Sequence, residues 1–304
     1  KQNKKLKFFN KILGGNPGLN GVFEKSIIDL TKISDQDLEL MKKTPGSSLI
    51  GTTRIKHLQN KELKLLGSTF EELGVNHFVN IGGNGTIKQT KSISQYIGKD
   101  LYVAAAPKTV DNDLGDPLCS DVFFTPGFPS CVNHWVKIMK LLDIENQGAC
   151  SHDKVLIGQT FGRETGFLAG ATRLFDKDRK KPIIILLPED IKSINFIIES
   201  IEKKLLSFDR CLVIISEGYH IGDIGSVLDA SGQNMYGSCK STAAQLLVDK
   251  LISNGIQARA YIPTILQRQD IESTMKFDSD IAFLQGAYII DQFSKGNSHF
   301  LASI

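Results

Sequence analysis

The sequence predicts an α/β protein with largely parallel sheets, flanked by helices and divided between two domains. The first observation behind this prediction is that apolar, strand-like runs alternate with longer helix-like segments. The second is that one apolar run ends in a dense group of polar residues, and the carboxyl ends of strands are where open α/β sheets bind ligands. The third is length, because 304 residues are enough for two hydrophobic cores.

The strand-like runs are short and mostly aliphatic. They are His77–Ile81, Leu101–Ala106, Lys154–Gln159, Pro182–Leu187, Cys211–Ile215 and Ala258–Pro263. The helix-like segments include Asn60–Leu73, Ile87–Ile97, Ile191–Leu206 and Ser241–Asn254. This alternation is typical of parallel strands whose sheets are covered by helices on both faces.

Composition excludes several classes of protein. The hydrophobic fraction of 41%, without an apolar run of the about twenty residues that a membrane helix needs, predicts a soluble protein with no membrane partner. The net charge of +3 is too small to indicate nucleic-acid binding, and the Lys-rich start at residues 1–11 resembles a solvated tail more than a signal peptide. Five scattered cysteines favour neither a zinc site nor a disulfide framework, so we expect a reducing cytoplasm.

The most informative stretch follows the run Leu101–Ala106. After Pro107 come a cation, a hydroxyl and two carboxylates within a few residues: Lys108, Thr109, Asp111 and Asp113. Unpaired charge at the end of a buried strand is costly, so this density indicates chemistry. One carboxylate can take a proton from a hydroxyl while the other holds a divalent cation. The alternative is an acidic turn that caps a helix.

A glycine-rich turn precedes this stretch. The apolar segment Asn76–Ile81 ends in Gly82-Gly83-Asn84-Gly85-Thr86, which continues into the helix-like segment Ile87–Ile97. Glycines between a strand and a helix let backbone N–H groups point at one anion, and the helix N-terminus adds partial positive charge. Such a turn alone is a weak signal. Followed by the Lys-Thr-x-Asp-Asn-Asp loop, it indicates a phosphate site.

Together the two motifs resemble those of the phosphofructokinases, Gly-Gly-Asp-(Gly/Asp)-(Ser/Thr) and Thr-(Ile/Val)-Asp-Asn-Asp. Other matching segments follow in family order: Gly14-Gly15, Pro17-Gly18-Leu19-Asn20, Gly51-Thr52-Thr53-Arg54, Phe161-Gly162-Arg163, Pro188-Glu189, Ser216-Glu217-Gly218 and Gln267-Arg268. The resemblance covers nearly the whole chain. It implies the phosphofructokinase fold with two Rossmann-like domains, of the short bacterial type because the motifs occur once.

The resemblance also implies the domain division. Residues 1–150 would form the phosphoryl-donor-binding domain, completed in part by residues 267–304. Residues 151–266 would form the domain that binds fructose 6-phosphate. The chain would cross between the domains near Gln147–Ser151 and return near Leu266.

Catalytic roles follow from the same resemblance. Asp111 would be the base that takes the proton of the sugar's 1-hydroxyl, and Thr109 would position the transferring phosphate. Asp113 would act through Mg²⁺, the expected cofactor, with Asn84 as a second candidate for the metal. Lys108 and Arg163 complete the implied catalytic set. Arg163 is expected at the head of a helix from Glu164 to Phe175, where an ordinary salt bridge is the other interpretation.

The implied binding residues fall into two groups. Donor phosphates would contact Gly15, Arg54, Gly83, Asn84, Gly85 and Thr86. The sugar phosphate would contact Thr109, Asp111, Phe161, Gly162, Arg163, Glu217 and Arg268, with Arg259 and Arg268 flanking one strand and gripping the 6-phosphate. In the family, cations at the positions of Lys154 and Arg259 reach the site from a neighbouring subunit. We therefore expect a homodimer or homotetramer with shared active sites.

Several positions depart from the family pattern. Asn84 replaces an aspartate, Ile265 replaces a histidine that contacts the 6-phosphate, and Lys154 replaces an arginine. The stretch from Asn20 to Arg54 is also shorter than in the family, through either a natural deletion or a segment missing from this sequence. These departures leave open a catalytically weak or regulatory phosphofructokinase-like subunit.

Two positions concern regulation. In the allosteric bacterial type, arginines on the first helix hold effector phosphates, and the matching positions here are Glu24 and Ile28. A carboxylate repels a phosphate and an isoleucine offers it no donor. The resemblance therefore predicts that control by nucleotide and phosphoenolpyruvate is absent.

The phosphoryl donor is predicted from three side chains. Lys108 is typical of the pyrophosphate-dependent branch, whereas Gly85 is typical of the ATP-dependent branch. Gln89 occupies a position where ATP-dependent members keep a small residue that admits adenosine. The balance favours pyrophosphate, with ATP as the alternative. A third hypothesis, an NAD-binding protein, has the least support because the first motif lacks Gly-x-Gly-x-x-Gly.

Overall fold

The computed structural model describes residues 8–42, 47–55, 57–98, 101–114, 125–228 and 234–303. The chain divides into two compact units. Unit 1 comprises Lys1–Thr109, Leu114–Pro126 and Met275–Ile304, and unit 2 comprises Val110–Asp113 and Gly127–Thr274.

The described residues form parallel sheets and helices that alternate along the chain. The strands are β1 (Leu13–Gly15), β2 (Ile27–Asp29), β3 (His77–Gly82), β4 (Tyr102–Pro107), β5 (Val155–Thr160), β6 (Ile183–Leu186), β7 (Cys211–Ser216), β8 (Ala258–Tyr261) and β9 (Phe300–Leu301). The helices are α1 (Gly18–Phe23), α2 (Asp35–Met41), α3 (Ser47–Ile50), α4 (Asn60–Leu73), α5 (Asn84–Ile97), α6 (Phe128–Gly148), α7 (Phe167–Ala171), α8 (Ile194–Phe208), α9 (Ala243–Ser253) and α10 (Lys276–Ser294). Short 3₁₀ helices span Leu30–Lys32, Thr172–Asp176, Tyr236–Ser238, Thr264–Arg268 and Ile271–Ser273.

The predicted α/β architecture is confirmed. Each predicted strand forms, with ends that differ by a residue or two, and α4 has the predicted bounds. A capping box between Gln59 and Glu62 begins α4, and Gly74 in the left-handed conformation ends it. The antiparallel pair of β1 and β2 was not predicted.

The main sheet of unit 1 has the order β3-β4-β9 and is parallel. One of its faces packs on α4 and α5 through Leu66, Phe70 and Ile93. The opposite face packs on α10 through Ile289 and Phe293. Because β3 and β4 are parallel and in register from His77–Tyr102 to Gly82–Pro107, their carboxyl ends lie at the same edge of the sheet.

Unit 2 is built on the parallel sheet β6-β7-β5-β8. Its central strands β5 and β7 are buried along their whole length, which explains why they read as nearly continuous apolar runs. Helices α8 and α9 cover one face, where Ile201 and Leu247 pack. Helices α6 and α7 cover the other.

The compact units divide the chain at other places than the predicted domains. The predicted crossing at Gln147–Ser151 coincides with the end of α6. That helix already belongs to unit 2, because Trp135 and Met139 pack against Leu156 and Ile214 of its sheet. The return lies after Thr274 rather than near Leu266. The donor and sugar-phosphate roles of the two domains stay a prediction.

Three further expectations bear on the described residues. Glu24 is the C-cap of α1 and Ile28 lies in β2, so neither is inside the first helix as expected. Cys119 lies outside the described residues, within which no disulfide forms. No helix in the described part of the chain combines the length and the apolarity that crossing a membrane requires.

Candidate active site

The glycine-rich turn and the first residues of the second motif, Lys108 and Thr109, lie side by side at the carboxyl edge of the unit 1 sheet. The backbone N–H of Lys108 donates to the carbonyl oxygen of Gly82 at 3.0 Å. A Cβ atom at Gly83 would lie 3.8 Å from both the Lys108 carbonyl oxygen and the Thr109 Cβ. A side chain at Gly82 would collide with the hydroxyl of Thr86. Gly82 is therefore required for the turn into the helix, whereas a side chain at Gly83 would make only van der Waals contact with the second loop.

The glycine-rich turn is the N-terminus of α5. The helix was predicted from Ile87 but begins at Asn84, with Gly83 as its N-cap. Asn84, Gly85 and Thr86 thus form its first turn, whose backbone N–H groups have no acceptor within the helix. A helix start of this kind attracts anions. Lys108 is exposed beside this edge and adds a positive charge.

Gly15 and Arg54 lie on two segments that are joined by Thr53. The Thr53 hydroxyl donates to the carbonyl oxygen of Pro17 at 2.7 Å and accepts from the N–H of Asn20 at 3.3 Å. Gly15 ends β1 just before this turn, and Arg54 follows Thr53 with an exposed side chain. Gly15 and Arg54, both predicted to contact donor phosphates, therefore belong to one connected part of unit 1.

Gln89 is not where the donor argument placed it. Its side chain is buried, and its Nε2 donates to the carbonyl oxygen of Ile55 at 2.6 Å. Its Oε1 accepts from the Asn80 amide at 3.2 Å. The amide thus holds the residue after Arg54 against α5 and β3. The expectation that Gln89 crowds a nucleoside loses its structural basis, because both ends of its amide are bound within unit 1.

The acidic loop turns at Asn112 in unit 2. Asn112 has φ of 55° and is buried, a left-handed conformation that asparagine adopts more readily than most residues. Asn112 stands between Asp111 and Asp113 in the chain, and the carbonyl oxygen of Asp111 accepts from the Thr165 hydroxyl at 3.2 Å. The loop therefore presents two acids from a fixed backbone.

The donor atoms of this loop fit Mg²⁺, which takes oxygen ligands and commonly pairs one or two carboxylates with waters and substrate phosphates. Within the described ranges, no group of three or more His, Cys, Asp and Glu side chains is arranged to hold a metal by protein ligands alone. Asp113 is the carboxylate that would hold the magnesium ion.

Four predicted residues interact electrostatically in unit 2: Asp111, Arg163, Glu217 and Arg268. Glu217 follows β7 and is 8% exposed. Burial, followed by the negative charge of Asp111, raises the pKa of Glu217 to about 8. Arg163, Arg268 and a hydrogen bond from the Gly162 backbone act in the opposite direction on this pKa. We call these four residues the acceptor-side cluster.

The loop that carries Arg163 is fixed by its backbone. The Gly162 carbonyl oxygen accepts from the N–H of Gly218 at 2.9 Å and from the Ser216 hydroxyl at 2.5 Å. Gly162 has φ of 126°, and a Cβ there would collide with the Thr165 carbonyl. The expected helix start at Glu164 is wrong, since α7 begins at Phe167. Arg163 therefore lies in a loop that is tied to the segment of Glu217.

Lys154 and Arg259 are not part of the acceptor-side cluster. Lys154 precedes β5, whereas Arg163 follows it, so they flank a strand about 20 Å long at ~3.3 Å per residue. Lys154 pairs with Asp209 at 2.6 Å and Arg259 pairs with Asp153 at 2.7 Å. Arg259 is paired in register with Leu156 near the amino end of β5. Arg259 thus lies near the amino end of these strands, whereas Arg268 follows the carboxyl end of β8. That both bind the 6-phosphate, with Arg259 serving a neighbouring subunit, stays a prediction.

Two more residues belong to this part of unit 2: Ile265, which replaces the histidine of the family pattern, and Gln267. Ile265 is 56% exposed in the 3₁₀ helix Thr264–Arg268 and offers no polar group. The guanidinium carbon of Arg268 lies 5.7 Å from the centre of the Phe161 ring. Sequence reasoning gave Gln267 no role of its own, although its buried amide contacts Phe161. The sequence signal that could have identified Gln267 was its position next to Arg268.

At the carboxyl ends of its parallel strands the protein has a helix start that attracts anions, together with carboxylates and arginines. These features are typical of the class of phosphate-binding α/β proteins. Comparison with known proteins is more specific. The sequence model described as Phosphofructokinase matches residues 4–292. The chain belongs to the phosphofructokinase family.

Individual relatives are distant. The chain is similar to the pyrophosphate–fructose 6-phosphate 1-phosphotransferase of Rhodospirillum rubrum, with 28% identity over 83% of this chain and 62% of that protein. It is also similar to the ATP-dependent 6-phosphofructokinase of Persephonella marina, with 25% identity over 97% of this chain and 80% of that protein. The match thus spans less than two thirds of the length of the first relative.

The fold is shared with solved structures. The pyrophosphate-dependent phosphofructokinase from Nitrosospira multiformis matches with a TM-score of 0.81 and 23% identity, covering 98% of this chain and 71% of that one. This likeness confirms the predicted fold.

Proposed function

We propose that this protein transfers a phosphoryl group from pyrophosphate to the 1-hydroxyl of fructose 6-phosphate, giving fructose 1,6-bisphosphate. The observation that carries the proposal is the acceptor-side cluster. The segments of Arg163 and Glu217 are joined by backbone hydrogen bonds, Arg268 lies over Phe161, and the charges of Asp111, Arg163 and Arg268 act on Glu217. Two arginines beside two carboxylates suit a ligand that bears both hydroxyls and a phosphate. Family membership and the name of the Rhodospirillum rubrum relative supply the sugar and the reaction.

Each member of the cluster has a separate task in this proposal. Glu217 accepts hydrogen bonds from sugar hydroxyls, and Arg268 binds the 6-phosphate. Arg163 stabilises the negative charge that develops on the transferring group. Asp111 takes the proton of the 1-hydroxyl while that oxygen forms a bond to phosphorus and the bridging P–O bond of pyrophosphate breaks, releasing phosphate.

The donor is held by unit 1. The first turn of α5, Gly15 and Arg54 bind its phosphate oxygens, and Lys108 adds a point charge. Thr109 positions the transferring phosphate. Asp113 would hold Mg²⁺, which would supply positive charge to the donor phosphates. Thr109 and Asp111 are two residues apart in sequence, on either side of the point where the chain passes from unit 1 to unit 2.

ATP is the second candidate donor. Gly85 leaves room beside the donor phosphates, and the relative from Persephonella marina is named as ATP-dependent. With Gln89 buried and bound at both ends, the preference for pyrophosphate rests on Lys108. A catalytically weak or regulatory subunit is the remaining alternative, supported by Asn84 and Ile265.

The proposed active species is a homo-oligomer. Lys154 and Arg259 lie near the amino end of β5, the strand whose other end leads to Arg163, so we assign them no contact with the sugar phosphate bound by their own chain. The family pattern in which such cations reach a neighbouring subunit's site accounts for them. A dimer or tetramer by light scattering is the expected result. A fully active monomer would contradict it.

The deciding experiment is a coupled assay of the purified protein with fructose 6-phosphate, supplying pyrophosphate or ATP in parallel. We expect turnover with both Mg²⁺ and pyrophosphate, a higher kcat/KM for pyrophosphate than for ATP, and loss of activity with EDTA that Mg²⁺ restores. Faster turnover with ATP would overturn the assignment of pyrophosphate as the donor. No turnover with either donor, although fructose 6-phosphate binds by calorimetry, would favour the regulatory alternative.

A further inference from the structure

A single buried amide joins three segments of unit 2 beside the acceptor-side cluster. The Oε1 of Gln267 accepts from the backbone N–H of Phe161 at 2.9 Å and from the indole Nε1–H of Trp135 at 2.9 Å. Gln267 is 4% exposed and Trp135 is fully buried. The loop after β5, helix α6 and the 3₁₀ helix Thr264–Arg268 therefore meet at one oxygen atom.

The backbone of Gln267 is bound to the same helix. Its carbonyl oxygen accepts from the Cys131 thiol at 3.1 Å. Cys131 and Trp135 are four residues apart and so lie on one face of α6. That face is rigid because Cys131, Trp135 and Met139 are in the core of unit 2. Helix α6 thus acts as a frame to which both the main chain and the side chain of Gln267 are fixed.

The two arginines of the cluster follow the two bound segments. Arg268 is the residue after Gln267, and Arg163 is two residues after Phe161. The guanidinium of Arg268 lies over the Phe161 ring, 5.7 Å from its centre. Between Phe161 and Arg163, Gly162 is hydrogen-bonded to Ser216 and Gly218. The directions of both arginines therefore depend on where Phe161 and Gln267 are held relative to each other.

We infer that Gln267 is a positioning residue that sets the spacing of Arg163 and Arg268 for the sugar phosphate. It does so through Phe161 and α6, without itself touching the ligand. The inference rests on the proposed function, in which these arginines bind fructose 6-phosphate. Trp135 is the partner that holds the Gln267 amide in place.

Replacing Gln267 by methionine tests this role. Methionine has a similar length and volume but only a weak acceptor, so two buried N–H groups lose their partner. The loop with Phe161 and Arg163 then moves away from Arg268. We expect the KM and Kd for fructose 6-phosphate to rise about tenfold, which corresponds to about 1.4 kcal/mol, while kcat falls by less.

A matched control separates positioning from general loss of packing. Gln159 is also a buried glutamine of unit 2, and its Oε1 accepts the backbone N–H of Ala244 on α9 at 2.9 Å. Gln159→Met removes one buried hydrogen bond, which joins β5 to α9 and not to the segment of Arg268. We expect Tm to fall in both variants, less in the control because one bond is lost instead of two, with an unchanged KM for fructose 6-phosphate only in the control. An equal KM in the two variants would overturn the inference.

A second variant covers failure of Gln267→Met to fold. Trp135→Phe removes the indole N–H and keeps an aromatic ring, leaving the Phe161 bond to Gln267. We expect a smaller rise in KM, about threefold, or ~0.7 kcal/mol; an unchanged KM in this folded variant would also overturn the inference. Wild-type protein that neither binds fructose 6-phosphate by calorimetry nor turns it over would instead overturn the proposed function.

Trp135 supplies an optical readout in the wild-type chain. It is the single tryptophan of the sequence, and its indole N–H is bound to the amide next to Arg268. Fructose 6-phosphate is expected to change its emission in the wild type and in Gln159→Met. In Gln267→Met the ligand-induced change is lost or much reduced. A full change in Gln267→Met would contradict the coupling.

Discussion

In unit 2 the charged side chains of the acceptor-side cluster are held by buried groups behind them, whereas in unit 1 the donor loops rely on backbone and exposed cations. Glu217 is buried at the end of a buried strand, and the loop before Arg163 is bound by Gln267, Ser216 and Gly218. By contrast, Lys108 and Arg54 are exposed. Backbone donors bind any phosphate, but fixed side chains select a particular ligand.

This difference indicates how each side would respond to substitution. A change in the acceptor-side cluster alters a group that several neighbours depend on, so its effects are large. A change at an exposed donor cation removes one interaction and leaves the rest in place. The donor should therefore be easier to exchange than the sugar phosphate. The following predictions test that contrast, beginning with the largest expected effect.

Asp111→Ser is expected to reduce kcat by about a hundredfold or more, because a general base contributes that much to proton transfer. Binding of fructose 6-phosphate, measured by calorimetry, should change far less than kcat. Circular dichroism shows whether the variant is folded. Near-normal turnover in a folded Asp111→Ser protein would contradict the role of Asp111.

Glu217→Gln is expected to change how stability depends on pH. The folded pKa of Glu217 is raised from 4.5 to about 8, so its contribution to stability is fully present below the unfolded value and is lost as pH rises towards 8. Between pH 5 and pH 8.5 the stability of the variant relative to the wild type should therefore increase by at least about 1.4 kcal/mol, the equivalent of one pKa unit. Urea unfolding at pH 5 and pH 8.5 measures this difference.

The comparison between variant and wild type isolates Glu217 from other titrating groups, such as His77, whose pKa burial lowers. Glu202→Gln is the control, since Glu202 is an exposed carboxylate on α8 of the same unit. Its unfolding free energy should follow the wild type at both pH values. Parallel curves for Glu217→Gln and wild type would show that Glu217 ionises normally.

Lys108→Gly is expected to lower the ratio of kcat/KM for pyrophosphate to that for ATP by about tenfold, the loss expected of one charge-assisted interaction. The KM for fructose 6-phosphate should stay within twofold of the wild-type value, which corresponds to ~0.4 kcal/mol. Lys108 follows β4 outside any helix, so glycine breaks no helical turn. An unchanged donor ratio would remove Lys108 from donor selection.

Gln89 provides the smallest and most specific test. If its amide holds the Arg54 segment, Gln89→Met should raise the KM for both donors about threefold, or ~0.7 kcal/mol, with little change for fructose 6-phosphate. If instead the side chain crowds a nucleoside, Gln89→Gly should lower the KM for ATP alone. Measuring both variants with both donors shows whether Gln89 holds the Arg54 segment in place or restricts the space for a nucleoside.

Much of the fold and part of the candidate site were predictable from local signals. Apolar runs, helical periodicity and glycine-rich turns are encoded by neighbouring residues, so the strands, the helix α4 and the edge where Gly83 meets Thr109 followed from the sequence. The resemblance then supplied the family. The position of Glu217 at the end of a buried strand also required nothing beyond its neighbours.

Only the tertiary structure decided which distant side chains meet. Lys154 and Arg259 are separated from the acceptor-side cluster because strand direction places them near the amino end of β5. The Gln89 side chain is hydrogen-bonded to the Ile55 backbone. Helix α6 packs in the core of unit 2. No local sequence pattern encodes either set of contacts. Trp135 and Gln267 are 132 residues apart, and their hydrogen bond exists because helix α6 and the segment before Arg268 are packed together. Hydrophobic burial of that kind is non-directional and depends on the whole chain, which is why the sequence determined the motifs and the folded protein determined their surroundings.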